Sequence, residues 1–218
     1  MVNTEEIIDL LKQQSNPANL AGMKRFGIEV NTALGIPIPE LRKLAGIIKK
    51  DHNLALALWE TGIHEARILA SMIDDPKLVT TGQMDKWVGD FNSWDLCDQA
   101  CGNLFDKTPF AIEKALQYSL AKQEFVKRAG FVLMAEYAVH HKKADDETFL
   151  ALLPVIEREA LDERNFVKKA INWALRQIGK RNDTLKHAAI DTANKILLQN
   201  TKAAKWIAND ALRELKNR

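Results

Sequence analysis

The chain has 218 residues, of which 46% are hydrophobic and 28% are charged, and its formal net charge is only +2. A chain of this length can bury roughly 70% of its unfolded surface, so it needs no cofactor or disulfide to hold a core together. No apolar run approaches the roughly 20 residues that span a bilayer, and the first residues are acidic where a signal peptide is basic. We therefore expect a cytoplasmic protein with no membrane partner.

Helices follow one another along the whole chain. Apolar residues recur mostly at intervals of three and four, and the alternation typical of strands never persists. Pro39 and Pro76 are placed as first-turn prolines of the helices that follow them. In chain order, the predicted breaks between helices fall at 15–17, 35–39, 74–76, 107–109, 143–146 and 179–182.

A short internal repeat indicates how these helices pack. The peptide FVKRA at 125–129 recurs 41 residues later as FVKKA at 166–170, and a weaker echo begins at Trp206. Helix pairs of HEAT-like or armadillo-like solenoids repeat at about this interval. We expect an all-α fold, an α-α superhelical solenoid of HEAT-like repeats, in a single domain over 1–218. Arg128 and Lys169 would then occupy equivalent positions on successive inner helices.

Positive charge is concentrated between residues 164 and 186, where seven Lys or Arg residues face one acid, Asp183. On a helical wheel of 164–180, one arc is apolar and the opposite arc gathers Lys169, Trp173, Arg176 and Lys180. A tryptophan among cations on an outer face indicates a surface for an anionic and partly flat partner. Nucleic acid fits that description.

The sequence predicts no metal site and no cofactor. Its five histidines lack metal-ligand spacing, and no glycine-rich phosphate loop is present. Cys97 and Cys101, four residues apart with no histidine or second cysteine pair nearby, are predicted to be buried thiols.

One carboxylate has a setting that suggests chemistry. In the segment 91–106, a helix is predicted with Asn92 or Ser93 as its N-cap. Asp95 then falls in the first turn, where the helix dipole favours an anion, and is interpreted as structural. Trp94 and Asp98 stand at i and i+4, side by side at the edge of the apolar arc. Such a pair is usually structural or neutral on its own. Arg128 and the outward-facing Trp173 on other inner helices make it a candidate site.

Several further polar and aromatic residues have a structural interpretation. Trp59, Trp87 and Trp206 lie in apolar-periodic stretches and are predicted to be packing residues. Glu65 and Arg67 are predicted to form ion pairs on the helix surface or between repeats.

Five motifs together resemble the AlkD-type DNA alkylation repair proteins, which are HEAT-like repeat DNA glycosylases. The resemblance covers about residues 20 to 215. It implies a curved solenoid, monomeric, that holds duplex DNA in its concave face and removes cationic N3- or N7-alkylated purines. The motifs are RFGI at 25–28, LGIPIPELR at 34–42, SWDLCD at 93–98, VKRA at 126–129 and KAINWALR at 169–176.

The resemblance also implies roles for individual residues. Trp94 and Trp173 match the tryptophans that flank the lesion-bearing deoxyribose, Asp98 matches the catalytic aspartate, and Arg128 matches an arginine near the backbone phosphate. Phe26 stands where the family carries a tyrosine beside the lesion. Loss of that hydroxyl bears on rate or substrate range more than on fold.

Two alternatives to a glycosylase stay open. The first is a non-catalytic HEAT-repeat protein that binds damaged or branched DNA through the same face, with Lys169, Arg176 and Lys180 at the phosphates. The second is a scaffold that binds another protein. The resemblance further implies that the lesion stays in or near the stack, and no motif of a base-reading pocket is evident in the sequence.

Overall fold

The computed structural model describes residues 3–217, and this part of the chain forms thirteen α-helices, two short 3-10 helices and no β-strand. The all-α prediction is confirmed. The chain divides into two compact units, of which the first ends at Thr108 and the second begins at Pro109. A single domain over 1–218 stays a prediction.

The first unit is built around its fifth helix, which packs against the third, fourth and seventh. Trp59 and Trp87 stack in its core, with ring centroids 3.9 Å apart, and both are buried as predicted. The unit also contains the two 3-10 helices, Pro17–Asn19 and Phe105–Lys107. Its α-helices are α1 Thr4–Gln13, α2 Leu20–Arg25, α3 Ile38–Ile48, α4 His52–Glu60, α5 His64–Ile73, α6 Thr81–Gly89 and α7 Trp94–Asn103.

The second unit centres on the amphipathic helix that carries the basic arc. That helix packs against the helix of the preceding repeat and against the two that follow it. The α-helices of this unit are α8 Ala111–Ser119, α9 Glu124–His140, α10 Asp146–Glu159, α11 Asn165–Gly179, α12 Asp183–Leu198 and α13 Lys202–Lys216. The repeated peptides open α9 and α11, and the rings of Phe125 and Phe166 lie 5.6 Å apart.

Each of the six predicted breaks overlaps a junction between α-helices, and Pro39 occupies the first turn of α3. The prediction for Pro76 is wrong, because this residue lies in a turn and α6 begins at Thr81. The Thr80 side chain sets that start by accepting a hydrogen bond from the Gln83 backbone N–H. Within residues 3–217, no helix is both long and apolar enough to cross a membrane.

Gly130 allows α8 and α9 to approach each other closely. A Cβ at this position would stand 2.6 Å from the Ser119 backbone nitrogen and 2.8 Å from the Ala115 carbonyl oxygen. We expect Gly130→Ala to lower the free energy of unfolding by about 1–3 kcal/mol, because the backbone of α8 cannot yield as a side chain can.

Gly46, in α3, is the matched control, since a Cβ there would have no heavy atom within 4 Å. We expect Gly46→Ala to raise the free energy of unfolding by about 0.5–1 kcal/mol through helix propensity. Urea denaturation of both variants checks the pair. Equal stabilities would contradict the close approach at Gly130.

Candidate functional site

Helix α7 presents Trp94 and Asp98 on one side and buries the other. Both side chains are half-buried, whereas Cys97 and Cys101 are fully buried. The two cysteines are unbridged, which confirms the prediction of buried thiols. Trp94 and Asp98 therefore share the accessible edge of α7.

A hydrogen bond ties Trp94 to Phe26, which is 68 residues earlier in the chain. The indole Nε1–H of Trp94 donates to the backbone carbonyl oxygen of Phe26 at 3.0 Å. The Phe26 side chain itself is 68% exposed. The structure thus brings together Phe26, at the end of α2, and Trp94, at the start of α7.

Asp95 is held from two sides at the beginning of α7. The buried His64 contacts Asp95 Oδ2 through Nε2 at 2.8 Å, and the Ser93 hydroxyl donates to Oδ1 at 2.7 Å. Burial disfavours the charged form of both side chains. Their mutual hydrogen bond and opposite charges nevertheless raise the pKa of His64 and lower the pKa of Asp95. Asp95 thus has a structural partner, His64, that the sequence pattern did not reveal.

Glu65 fixes the loop that precedes α3. Its Oε1 accepts the backbone N–H groups of Gly35 at 2.7 Å and Ile36 at 3.3 Å, and its Oε2 accepts that of Leu34 at 2.8 Å. The predicted ion pair for Glu65 is wrong, because this carboxylate is buried and satisfied by backbone amides. Arg67 does form an ion pair, with Asp90 at 3.6 Å.

The loop before α3 and the helices α2, α5 and α7 line a groove of about 540 Å³ within the first unit. Phe26 and Trp94 both line it, so the sequence-based absence of a pocket motif did not anticipate a cavity here. We call it the α2–α7 groove. Its other lining residues are Asn19, Gly22, Met23, Ile28, Gly35, Ile36, Pro37, Ile38, His64, Glu65, Ile68 and Asp95.

Arg128, in the second unit, is only 6% exposed. Its Nη1 donates to the backbone carbonyl oxygen of Phe166 at 2.6 Å, so the guanidinium braces the first turn of α11 against α9. A role at a DNA phosphate stays a prediction for this residue. Lys169, its repeat equivalent, is exposed and makes no ion pair with a described residue.

The rest of the basic arc of α11 is partly neutralised by α13. Arg176 and Lys180 both pair with Glu214, and Arg176 also lies 3.8 Å from Asp210. Burial opposes the Glu214 charge, but hydrogen bonds from Lys180 and Arg176 lower the pKa of its carboxyl group. Trp173 is half-buried on the same helix.

Trp206 corrects another sequence-based interpretation. It is 40% exposed, and the Lys168 Nζ lies 5.6 Å from the centroid of its ring. The apolar stretch around Trp206 buries its neighbours Ile207 and Ala208 instead. In the described part of the chain, no three His, Cys, Asp or Glu side chains are grouped as metal ligands.

Comparison with known proteins identifies the family. The model of the DNA alkylation repair enzyme family matches residues 7–215. The chain belongs to this family. The match confirms the resemblance to DNA alkylation repair proteins that the five sequence motifs indicate.

Two proteins that are similar to this chain are informative. An uncharacterized protein of Listeria innocua is 23% identical over 200 residues, which cover 90% of this chain and 87% of that protein. A solved structure superposes with a TM-score of 0.78 at 17% identity, covering 98% of this chain and 95% of that one. It represents a new family of proteins related to the HEAT-like repeat DNA glycosylases, with affinity for branched DNA structures. The match shows that this family member has the HEAT-like repeat fold.

The His64–Asp95 pair makes stability depend on pH. The folded-state pKa of His64 is raised, so its contribution is fully present below the unfolded histidine pKa of about 6.5 and is lost as pH rises through the folded value. We expect His64→Gln, which keeps a neutral hydrogen-bond donor, to flatten the fall in unfolding free energy above about pH 6.5. Urea denaturation across this range measures the slope.

His187→Gln is the matched control, because His187 is exposed on α12. This variant should keep the slope of the wild-type protein. If His64→Gln also kept it, the charged pair would not be the source of the pH dependence.

Proposed function

We propose that the chain is a DNA glycosylase that hydrolyses the N-glycosidic bond of cationic N3- or N7-alkylated purines in duplex DNA. The observation that carries the proposal is the joint placement of Trp94 and Asp98 on the accessible edge of α7, with the indole anchored to Phe26. Membership of the DNA alkylation repair enzyme family supports it.

Hydrolysis of this glycosidic bond requires one carboxylate. Alkylation at N3 or N7 makes the purine cationic, so it leaves with the electron pair of the glycosidic bond without needing a proton. Positive charge then develops on the deoxyribose as an oxocarbenium ion. Asp98 stabilises that charge, orients the water that attacks C1′ and accepts the proton that this water loses.

Electrostatics alone gives Asp98 a substantial effect. Two unit charges about 4 Å apart at an effective dielectric constant near 20 attract by roughly 4 kcal/mol. Expressed only in the transition state, this amounts to about a thousandfold in rate.

The tryptophans and basic residues serve binding in this proposal. Trp94 offers a ring to the electron-poor sugar, at roughly 0.5–2 kcal/mol, and its hydrogen bond limits the entropy lost when it does so. Trp173 and Arg128 lie in the second unit, and their roles at the lesion rest on the family resemblance. Lys169 is the cation of the basic arc best exposed to a phosphate.

A second candidate function is non-catalytic binding of branched DNA. Two observations favour it. The solved structure with the same fold represents proteins with affinity for branched DNA structures, and Phe26 lacks the hydroxyl that the related glycosylases carry beside the lesion. Release of alkylated base separates the two candidates, because the second requires DNA binding without it.

Asp98→Asn tests catalysis. We expect this variant to release 3-methyladenine and 7-methylguanine from alkylated duplex at least about a hundredfold more slowly than the wild-type protein, while its affinity for the duplex changes less than about threefold. Asp9→Asn is the matched control, because Asp9 is exposed on α1 and the chemical change is identical. Equal rates in the wild-type protein and Asp98→Asn would remove Asp98 from the mechanism.

Lys169→Ala tests the basic face. We expect weaker binding to duplex and to a four-way junction, with the slope of log K against log salt reduced by about 1. Lys195→Ala, an exposed lysine on α12, is the control and should bind as the wild-type protein does. Fluorescence anisotropy over a series of salt concentrations measures both. An unchanged slope in Lys169→Ala would contradict a phosphate contact at this position.

A further inference from the structure

The α2–α7 groove is large enough to hold a small organic group. Its volume of about 540 Å³ lies within the range of roughly 300–1,000 Å³ that is typical of small-ligand sites. Five apolar side chains form much of its wall, and they come from α2, the loop before α3, α3 itself and α5. These residues are Met23, Ile28, Ile36, Ile38 and Ile68.

The polar groups that line the groove already have partners. The Asn19 side-chain amide donates to the Gly35 carbonyl oxygen at 2.8 Å, Glu65 accepts three backbone N–H groups, and Asp95 is paired with His64. An occupant therefore gains more from apolar or aromatic surface than from new hydrogen bonds.

Two aromatic rings border the groove. Phe26 is 68% exposed although it is strongly apolar, and Trp94 is fixed by its hydrogen bond to the Phe26 carbonyl oxygen. An anchored ring loses little conformational freedom when a flat group stacks on it. The site is thus suited to a planar occupant.

Two basic residues stand beside Phe26 in the chain. Lys24 and Arg25 directly precede Phe26, both are exposed, and neither forms an ion pair with a described residue. Aromatic rings beside cations are the combination that binds single-stranded nucleic acid, since bases stack and phosphates pair with the charges.

We propose that the α2–α7 groove binds an unstacked nucleobase of a DNA strand, with Lys24 and Arg25 at the adjacent phosphate. The proposal rests on the DNA-binding part of the proposed function and is independent of catalysis. An unpaired nucleotide at a bulge or a branch point costs least to place there, because its base is already out of the stack.

Gly22→Leu tests the proposal. Gly22 lines the groove, and a Cβ there would have no heavy atom within 4 Å, so the backbone admits a side chain at this position and we expect a leucine to occupy part of the cavity. Gly46→Leu is the matched control on α3, outside the groove and equally open. The probes are a paired duplex and the same duplex with a single bulged 2-aminopurine.

We expect the wild-type protein to bind the bulged duplex about tenfold more tightly than the paired one, as stacking of one base predicts. The 2-aminopurine fluorescence should be quenched on binding. Gly22→Leu should lose the preference and the quenching and bind the paired duplex normally, whereas Gly46→Leu should keep both.

Phe26→Leu provides a second variant, because it keeps an apolar side chain at an exposed position and removes the ring. It should also lose the preference and the quenching. Equal affinity of the wild-type protein for the two duplexes, or a preference that survives in both Gly22→Leu and Phe26→Leu, would overturn the groove proposal alone. Failure of the wild-type protein to bind either duplex would overturn the proposed function as well, so the two failures are distinguishable.

Discussion

The first turn of α5 organises the candidate site through two consecutive buried side chains. Glu65 gathers the backbone amides of the loop before α3, and His64 holds Asp95 at the start of α7. A buried charge is costly unless it is paired or hydrogen-bonded, so each group stabilises one arrangement of its neighbours. Through them, α5 fixes the two segments that carry much of the α2–α7 groove and Trp94.

Charge in the second unit is arranged differently. Arg176 and Lys180 share Glu214 near the surface, where such pairs contribute about 0–1 kcal/mol. A DNA phosphate can compete with a pair of that strength, whereas Lys169 needs no partner exchange. Glu214 also limits the non-specific attraction of anions, because its negative charge offsets part of the positive field of α11.

The two candidate functions share one binding surface and differ in one chemical step. In the first, Trp94 would face the deoxyribose of a lesion that stays in or near the stack. In the second, Phe26 and Trp94 would stack on an unpaired base at a branch point. Asp98 adds chemistry only when the bound base is a good leaving group. A phenylalanine at position 26 keeps the stacking surface and gives up a polar contact, which favours recognition over rate.

The sequence by itself determined the helical fold, about half of the junctions between the described α-helices and the side of α7 that carries Trp94 and Asp98, because periodicity and proline act over a few residues. It missed the helix ends near Lys49 and Asn200, whose positive φ values carry no glycine signal. Only the tertiary structure decided which charges are paired. Glu65 meets amides about 30 residues away, His64 meets Asp95, and Glu214 meets Arg176 across two helices. Such partners are set by packing between elements, and no local pattern records a contact between residues so far apart in the chain.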